Sequence, residues 1–239
     1  MLIGMSACGR SDGFVLSPSS LSTITGITLS VNPPGVGATV SATATVSLSS
    51  GNTAVVFAGF TSDTPSVATV TTAGAITGVS IGDVTISVDY QGFKASKKVR
   101  VLPNYGGTFY GTYTLDRCTD SGGYAGTNSC ASMLPTYPLG STFQMAFSNT
   151  QSSDLTSLTG QFVLGNLLGT STGVISSAGV LTYAGSISSS ATWRMDFRNF
   201  LAASPSVGHV GGRFDAVWTD TTQTGSSVWS CTIVDLLRQ

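Results

Sequence analysis

The sequence contains no glutamate and has few charged residues of any kind. Only 9% of its 239 residues are charged, its eleven acidic residues are all aspartates, and its formal net charge is −1. An average soluble domain is about one quarter charged. Glu and Lys favour helices, whereas the Thr, Val, Ile and aromatic residues that are abundant here suit strands. The composition therefore predicts an all-β protein with almost no helix. The lack of a basic stripe argues against nucleic acid as a partner.

The sequence also lacks the residue patterns that carry catalysis or bind metals. Its one histidine, His209, lies in a Gly-rich stretch, and no set of base, nucleophile and orienting group stands out around it in the sequence. Asp116 and Asp120 precede Gly122 in a spacing that faintly resembles a calcium loop, but Cys118 stands where another oxygen ligand is needed. We expect no enzyme, no cofactor and no metal site.

The N-terminal segment is apolar and is followed by a cysteine. Met1 to Ala7 are apolar or small, and Cys8 and Gly9 come next, which resembles the end of a bacterial lipoprotein signal peptide. The resemblance implies a lipid on Cys8, an extracytoplasmic location and contact with a membrane only through that lipid. The alternative is an ordinary N-terminus. In both interpretations residues 1–26 end in a Ser/Thr-rich tether.

Three further cysteines allow at most one internal disulfide if Cys8 carries lipid. Cys118 and Cys130 enclose a Gly- and Ser-rich loop, residues 119–129, which a disulfide between them would cross-link. Pairing of Cys118 with Cys231 is the alternative, if the first and last strands of the second domain are neighbours.

From residue 27 the chain changes to short alternating runs separated by turn residues. Period-two runs bounded by Gly, Pro and Asn are typical of strands in a sandwich. They contain a series made of Phe60, Ser62, Pro65, Val67 to Val70, Gly74, Ile76 to Val79, Gly82 and Ile86. The series resembles the bacterial immunoglobulin-like (group 2) domain over about residues 27–102, although that family commonly has Trp in place of Phe60. The resemblance implies an immunoglobulin-like β-sandwich, residues 27–103, that serves as a spacer or adhesive module without catalytic residues.

The second domain, residues 104–239, contains eight more β runs with turn residues between them. These runs are Phe109 to Cys118, Phe143 to Asn149, Leu158 to Leu164, Gly173 to Ile175, Val180 to Ile187, Ala191 to Phe200, Gly211 to Thr219 and Ser227 to Leu237. Their number and length predict a small closed antiparallel barrel in up-and-down order, with the first strand paired to the last. The pattern is loosely similar to lipocalin-like periplasmic and surface barrels, and this similarity transfers no function.

One strand of this barrel carries a charged row. Alternation in Trp193 to Arg198 places Arg194, Asp196 and Arg198 on one face, and Arg213 could line up across from them. The row either faces a ligand such as a carboxylate or sugar inside the barrel mouth, or forms a solvent-facing ladder of ion pairs between adjacent strands. We favour the ladder, because strands with one face in water are ordinary.

Aromatic residues cluster in the first third of the second domain. Some must form the barrel core, but Tyr124 and Tyr137 lie in the region predicted as a loop. Exposed aromatic rings stack on sugars, so these two tyrosines are a candidate glycan-binding face.

Together these features predict a non-enzymatic bacterial protein of the cell surface or outer membrane, or a secreted one. We expect a lipoprotein whose immunoglobulin-like spacer presents the barrel for adhesion or binding to other surface proteins, to copies of itself or to glycans. One alternative is a structural subunit of an extracellular fibre or surface layer that assembles by exchange of an N-terminal strand. Another is a lipocalin-like carrier of a small apolar ligand.

Overall fold

A computed structural model describes residues 22–57, 59–188, 192–204 and 206–239. Cys8 and most of the tether lie outside these residues. The described chain is all-β, as the composition predicts. It holds sixteen strands and two short helices, and none of its helices combines the length and the apolar character needed to cross a membrane.

The first eight strands form a β-sandwich. Their bounds are β1 Ile24–Val31, β2 Thr39–Leu48, β3 Thr53–Val56, β4 Gly59–Ser62, β5 Ala68–Val70, β6 Ala75–Gly78, β7 Gly82–Tyr90 and β8 Phe93–Val101. One sheet has the order β1-β2-β6-β5, with β3 also paired to β2, and the other has the order β4-β7-β8. The inward residues of both sheets, among them Phe60, Ile76 and Ile86, form one apolar core. All three lysines of the chain, Lys94, Lys97 and Lys98, lie on β8.

The last eight strands close into an antiparallel barrel. Their bounds are β9 Gly107–Gly122, β10 Thr142–Gln151, β11 Ser157–Leu164, β12 Leu167–Ile175, β13 Leu181–Ser188, β14 Trp193–Ala203, β15 His209–Asp220 and β16 Gly225–Arg238. Each strand pairs with the next along the chain, and β16 pairs with β9 to complete the ring. The predicted up-and-down order is confirmed, and each of the eight predicted runs overlaps one strand.

The segment predicted as a loop between Cys118 and Cys130 has a different structure. Strand β9 continues to Gly122, and two helices follow, α1 Gly123–Thr127 and α2 Ser129–Met133. The stretch Asp116 to Gly122, whose spacing faintly resembles a calcium loop, therefore lies within an extended strand, which spreads Asp116 and Asp120 over about 13 Å instead of curling them round one ion.

Aromatic side chains fill the middle of the barrel. Phe197 and Phe214 pack edge to face with their ring centroids 4.9 Å apart, and Phe147 packs on Tyr183 and Phe200 with centroids 5.1 and 5.7 Å away. Such pairs add to the stabilisation that comes from burial alone. The centre of the barrel is thus a packed core.

The sandwich contacts one end of the barrel. The Arg100 guanidinium on β8 donates a hydrogen bond of 2.8 Å to the Ser177 carbonyl in the β12–β13 turn. In the connection between the domains Leu102 and Tyr105 are buried, and the Tyr105 hydroxyl donates to the Gly179 carbonyl at 2.7 Å. Because strands run antiparallel, the β11–β12 turn at residues 165–166 lies at the opposite end, away from the sandwich.

Candidate ligand cavity

The barrel has a cavity of about 160 Å³ at the end away from the sandwich. It lies between the packed core and the β11–β12 turn. Of its fourteen lining residues none is charged, and the aromatic ones are Tyr113, Tyr137, Phe143, Phe214, Trp218 and Trp229. The cavity therefore offers an uncharged surface rich in aromatic rings.

Strand alternation places these side chains inside the barrel. On β15 the residues Phe214, Ala216 and Trp218 are two positions apart and all line the cavity, as expected for one face of a strand. Ala216 stands directly opposite Trp229 of β16. The small Ala216 side chain between larger ones leaves room that a leucine or phenylalanine would fill.

The segment after β9 covers the open end of the barrel. Met133 at the end of α2 and Tyr137 just beyond it both line the cavity. The Tyr137 ring packs against Trp229 and Phe143, with centroid distances of 5.7 and 5.8 Å. We call residues 123–141 the cap.

A disulfide between Cys118 and Cys130 ties the cap to β9. This is the first of the two pairings considered from the sequence. Cys231 is free and buried, so the alternative pairing with Cys118 is wrong.

Cys231 and Tyr113 of the cavity wall are uncharged near neutral pH. Burial raises the pKa of the Cys231 thiol to about 12, with smaller contributions from the negative charges of Asp116 and Asp215. Burial likewise raises the pKa of Tyr113 well above its ordinary value. A thiol with such a pKa is a poor nucleophile, because the thiolate is the reactive form.

Two tryptophans of the wall differ in their hydrogen bonding. The Trp229 indole Nε1 donates to the Ser227 hydroxyl at 3.1 Å. The Trp218 Nε1 is buried and has no hydrogen-bond partner. Among the described residues it is the one buried side-chain nitrogen or oxygen that lacks a hydrogen bond.

The charged row predicted from the sequence lies on the outer wall of the barrel. Met195 and Phe197 point into the core, so the alternating Arg194, Asp196 and Arg198 point outward. The interpretation of this row as facing a ligand inside the barrel mouth is therefore wrong.

The ion pairs of this row also differ from a ladder between strands. Asp196 pairs with Arg194 at 2.6 Å and Arg198 at 3.9 Å, both on its own strand. Asp215, which stands opposite Arg198, accepts a hydrogen bond from Asn199. Arg213 is exposed and lines an outer groove together with Arg198.

The two candidate tyrosines have different environments. Tyr124 on α1 is buried, with 8% of its surface exposed, so it presents no face on which a sugar could stack. Tyr137 belongs to the cavity wall and is 37% exposed. That Tyr137 contacts a ligand therefore stays a prediction.

The remaining polar clusters do not form a site. Among the described residues, one group of three has metal-ligand spacing, Cys118, Asp120 and Cys130. Both of its sulfurs are used by the disulfide, and Asp120 accepts a hydrogen bond from the Cys130 backbone N–H at 2.7 Å. His209 Nδ1 lies 3.0 Å from the Asp235 carboxylate, and in the part of the chain that the structure covers no hydroxyl or thiol hydrogen-bonds to that ring.

The fold and the cavity define a class of architecture, a β-sandwich joined to a closed eight-stranded barrel with an apolar cavity at its far end. The chain matches no protein-family model and no curated protein.

The sequence analysis did not identify Trp218, Trp229 and Cys231 as cavity residues. The two-residue spacing of Phe214, Ala216 and Trp218 was a signal that could have placed them on one face of a strand.

Proposed function

We propose that this protein is a non-enzymatic, extracytoplasmic binding protein whose barrel takes up a small, uncharged and largely apolar ligand. The observation that carries the proposal is the aromatic cavity without charged lining residues at the barrel end away from the sandwich. Small-molecule sites are typically concave and apolar, with a few polar groups that orient the ligand. The earlier alternative of a lipocalin-like carrier is thereby preferred for the barrel.

The size of the cavity limits its ligand. At about 160 Å³ it is close to an engineered apolar cavity of about 150 Å³ that stays dry and binds benzene. A compound with one ring, or a compact branched aliphatic of similar volume, fits without rearrangement of the core. Longer lipids would have to extend past the cap.

The sandwich serves as a spacer in this proposal. It resembles a bacterial immunoglobulin-like module, and its contacts with the barrel are made at the end opposite the cavity. A lipid on Cys8 would place the sandwich next to the membrane and the cavity away from it. The protein would touch the membrane only through that lipid, and its outer barrel wall would be free for other surface proteins or glycans.

Filling the cavity tests the proposal. Ala216→Leu places a larger side chain opposite Trp229, so we expect it to abolish binding of toluene measured by calorimetry. Ala184→Leu is the matched control, because Ala184 is exposed on the outer wall. Organic-solvent extraction of the protein purified from its native source, followed by mass spectrometry, should release a small neutral compound from the unaltered chain only. Toluene binding that survives Ala216→Leu in a folded variant would contradict the proposal.

The alternative of a fibre or surface-layer subunit is favoured by one observation on the sandwich. Within the described ranges strand β3 is paired with β2 alone, and Val55 on β3 and Phe57 just after it are 59% and 81% exposed. An apolar strand at a sheet edge is a template for another chain. Electron microscopy of the concentrated protein tests this alternative, because ordered polymers would support it and monomers alone would exclude it.

A further inference from the structure

We infer that the ligand of the cavity carries a hydrogen-bond acceptor that pairs with the indole N–H of Trp218. The predicted ligand class is a small uncharged compound with one ring or a compact apolar body and a carbonyl-type oxygen. The inference rests on the proposed function of the cavity.

The unpaired nitrogen of Trp218 is an exception within the part of the chain that the structure describes. Buried polar groups are almost always hydrogen-bonded, so each exception calls for a physical reason. Elsewhere in the barrel buried polar groups have partners. The Tyr183 hydroxyl, for example, donates a hydrogen bond of 2.8 Å to the Asn149 side-chain oxygen. Among the described residues the one unmet donor is in a side chain that lines the cavity. A ligand that supplies an acceptor there removes the cost of that unmet hydrogen bond.

The position of Trp218 allows this contact. Its ring packs between Trp193 and Trp229, with centroid distances of 5.3 and 6.4 Å. The nitrogen is buried, and the side chain as a whole is only partly buried. Turning the N–H toward a ligand would therefore break no hydrogen bond of that nitrogen.

The wall of the cavity excludes a charged ligand. It contains no arginine, lysine or histidine that could pair with a carboxylate, and no aspartate that could pair with an amine. Burying an unpaired charge is far more costly than burying a neutral carbonyl. The acceptor must therefore belong to an uncharged group such as a ketone, ester or amide.

Three probes of similar size separate these requirements. Acetophenone has a ring and a carbonyl oxygen, ethylbenzene has the same shape without an acceptor, and benzoate has a charged acceptor. Trp218→Phe keeps an aromatic ring and removes the N–H. Tyr110→Phe is the control, because Tyr110 is exposed on the barrel and does not line the cavity.

We expect Trp218→Phe to weaken acetophenone binding about tenfold, which is the usual effect of one lost hydrogen bond. Ethylbenzene binding should change less than twofold, benzoate should not bind, and Tyr110→Phe should alter none of these results. Equal effects of Trp218→Phe on acetophenone and ethylbenzene, or binding of benzoate as tight as that of acetophenone, would overturn the inference. If neither neutral probe binds the unaltered protein, the proposed function itself fails.

A second measurement does not depend on a folded variant. The three indole N–H groups of the protein give three resonances in a ¹⁵N-correlated NMR spectrum. Acetophenone should move the Trp218 proton downfield because a hydrogen bond forms, and ethylbenzene should not. An unchanged Trp218 resonance at saturating acetophenone would sink the inference.

Discussion

Three buried side chains inside the barrel, Tyr183, Asn149 and Ser171, pair their polar atoms with one another. The Tyr183 hydroxyl donates to the Asn149 side-chain oxygen at 2.8 Å and contacts the Ser171 hydroxyl. All three side chains are buried. Burial raises the pKa of Tyr183 to about 12, whereas its hydrogen bonds to Ser171 and Asn149 lower it. The neutral phenol is thus part of the folded core.

This tyrosine makes the stability of the barrel depend on pH in the alkaline range. The pKa of Tyr183 is higher in the folded chain than its ordinary value of 10, so the unfolded chain loses the proton first. The stabilisation is fully present below about pH 10 and is lost as the pH rises through about 12. Thermal unfolding followed at pH 9 and pH 11 should show a lower midpoint at pH 11.

Tyr183→Phe tests the same network at neutral pH. The substitution leaves Asn149 and Ser171 without this partner, and we expect a loss of about 1–3 kcal/mol in the free energy of unfolding. The matched control is Tyr110→Phe, because Tyr110 is 49% exposed. Equal effects of the two substitutions in urea titrations would contradict this account of the network.

A glycine on β9 permits close approach of another strand. A Cβ atom on Gly111 would lie 2.0 Å from the Asp235 carbonyl oxygen. Gly111→Ala should therefore destabilise the barrel by about 1–3 kcal/mol, the usual cost of overpacking. Gly211→Ala is the control, since nothing lies within 4 Å of its added Cβ, and a comparable loss there in chemical denaturation would refute the explanation.

At the scale of elements, the cap depends on its disulfide. The bond joins residues 12 positions apart, and a cross-link of that span stabilises by about 3 kcal/mol in the chain-entropy model. Because it fixes α2 on β9, it also positions Met133 and Tyr137 over the cavity.

Removal of the disulfide should loosen the cap. We expect the double variant Cys118→Ser, Cys130→Ser to unfold at a lower temperature and to release acetophenone several-fold faster in stopped-flow measurements. Reductant should reproduce both effects in the unaltered protein and do nothing further to the variant. Unchanged release rates in both samples would show that the cap does not control exchange.

The strands were predictable from the sequence, whereas the cap was not. Alternation in segments such as 193–198 reports which side chains face a core, because strand side chains point alternately to opposite faces. The cap is rich in Gly and Ser, which predicts a loop, and its helices depend on packing against β9 and β16. The burial of Tyr124 results from that packing, which local pattern does not contain.

The ligand cavity was only partly predictable for a similar reason. Alternation shows which side chains of a strand face inward. Which of these fill the centre of the barrel and which leave space depends on how the eight strands close into a ring. Ala216 next to Trp218 creates space only because it faces Trp229 across the strand pair. The charged row lies outside the barrel for a related reason: Met195 and Phe197, which alternate with it along β14, occupy the core.

At the scale of the whole molecule, the sandwich and barrel are joined by specific contacts. Arg100 pairs with Asp83 at 2.6 Å on the sandwich and also donates to Ser177 of the barrel. Hydrogen bonds from Arg100 and Lys98 hold the pKa of Asp83 well below its usual value. The guanidinium thus links a carboxylate on one domain to a turn on the other.

Loss of this link should increase motion between the domains. We expect Arg100→Ala to give the two domains different alignment tensors in NMR residual dipolar couplings, whereas the unaltered chain gives a shared one. Lys98→Ala is the control, because Lys98 pairs with the same Asp83 at 3.0 Å and lies within the sandwich. Identical tensors for Arg100→Ala would show that other contacts hold the orientation.

The placement of all lysines on β8 has a practical consequence. The barrel, residues 104–239, contains no lysine and so has no side-chain amine. Amine coupling to a sensor surface therefore attaches the protein through its first domain. Every immobilised molecule then presents its barrel to the flowing solution with the cavity unmodified.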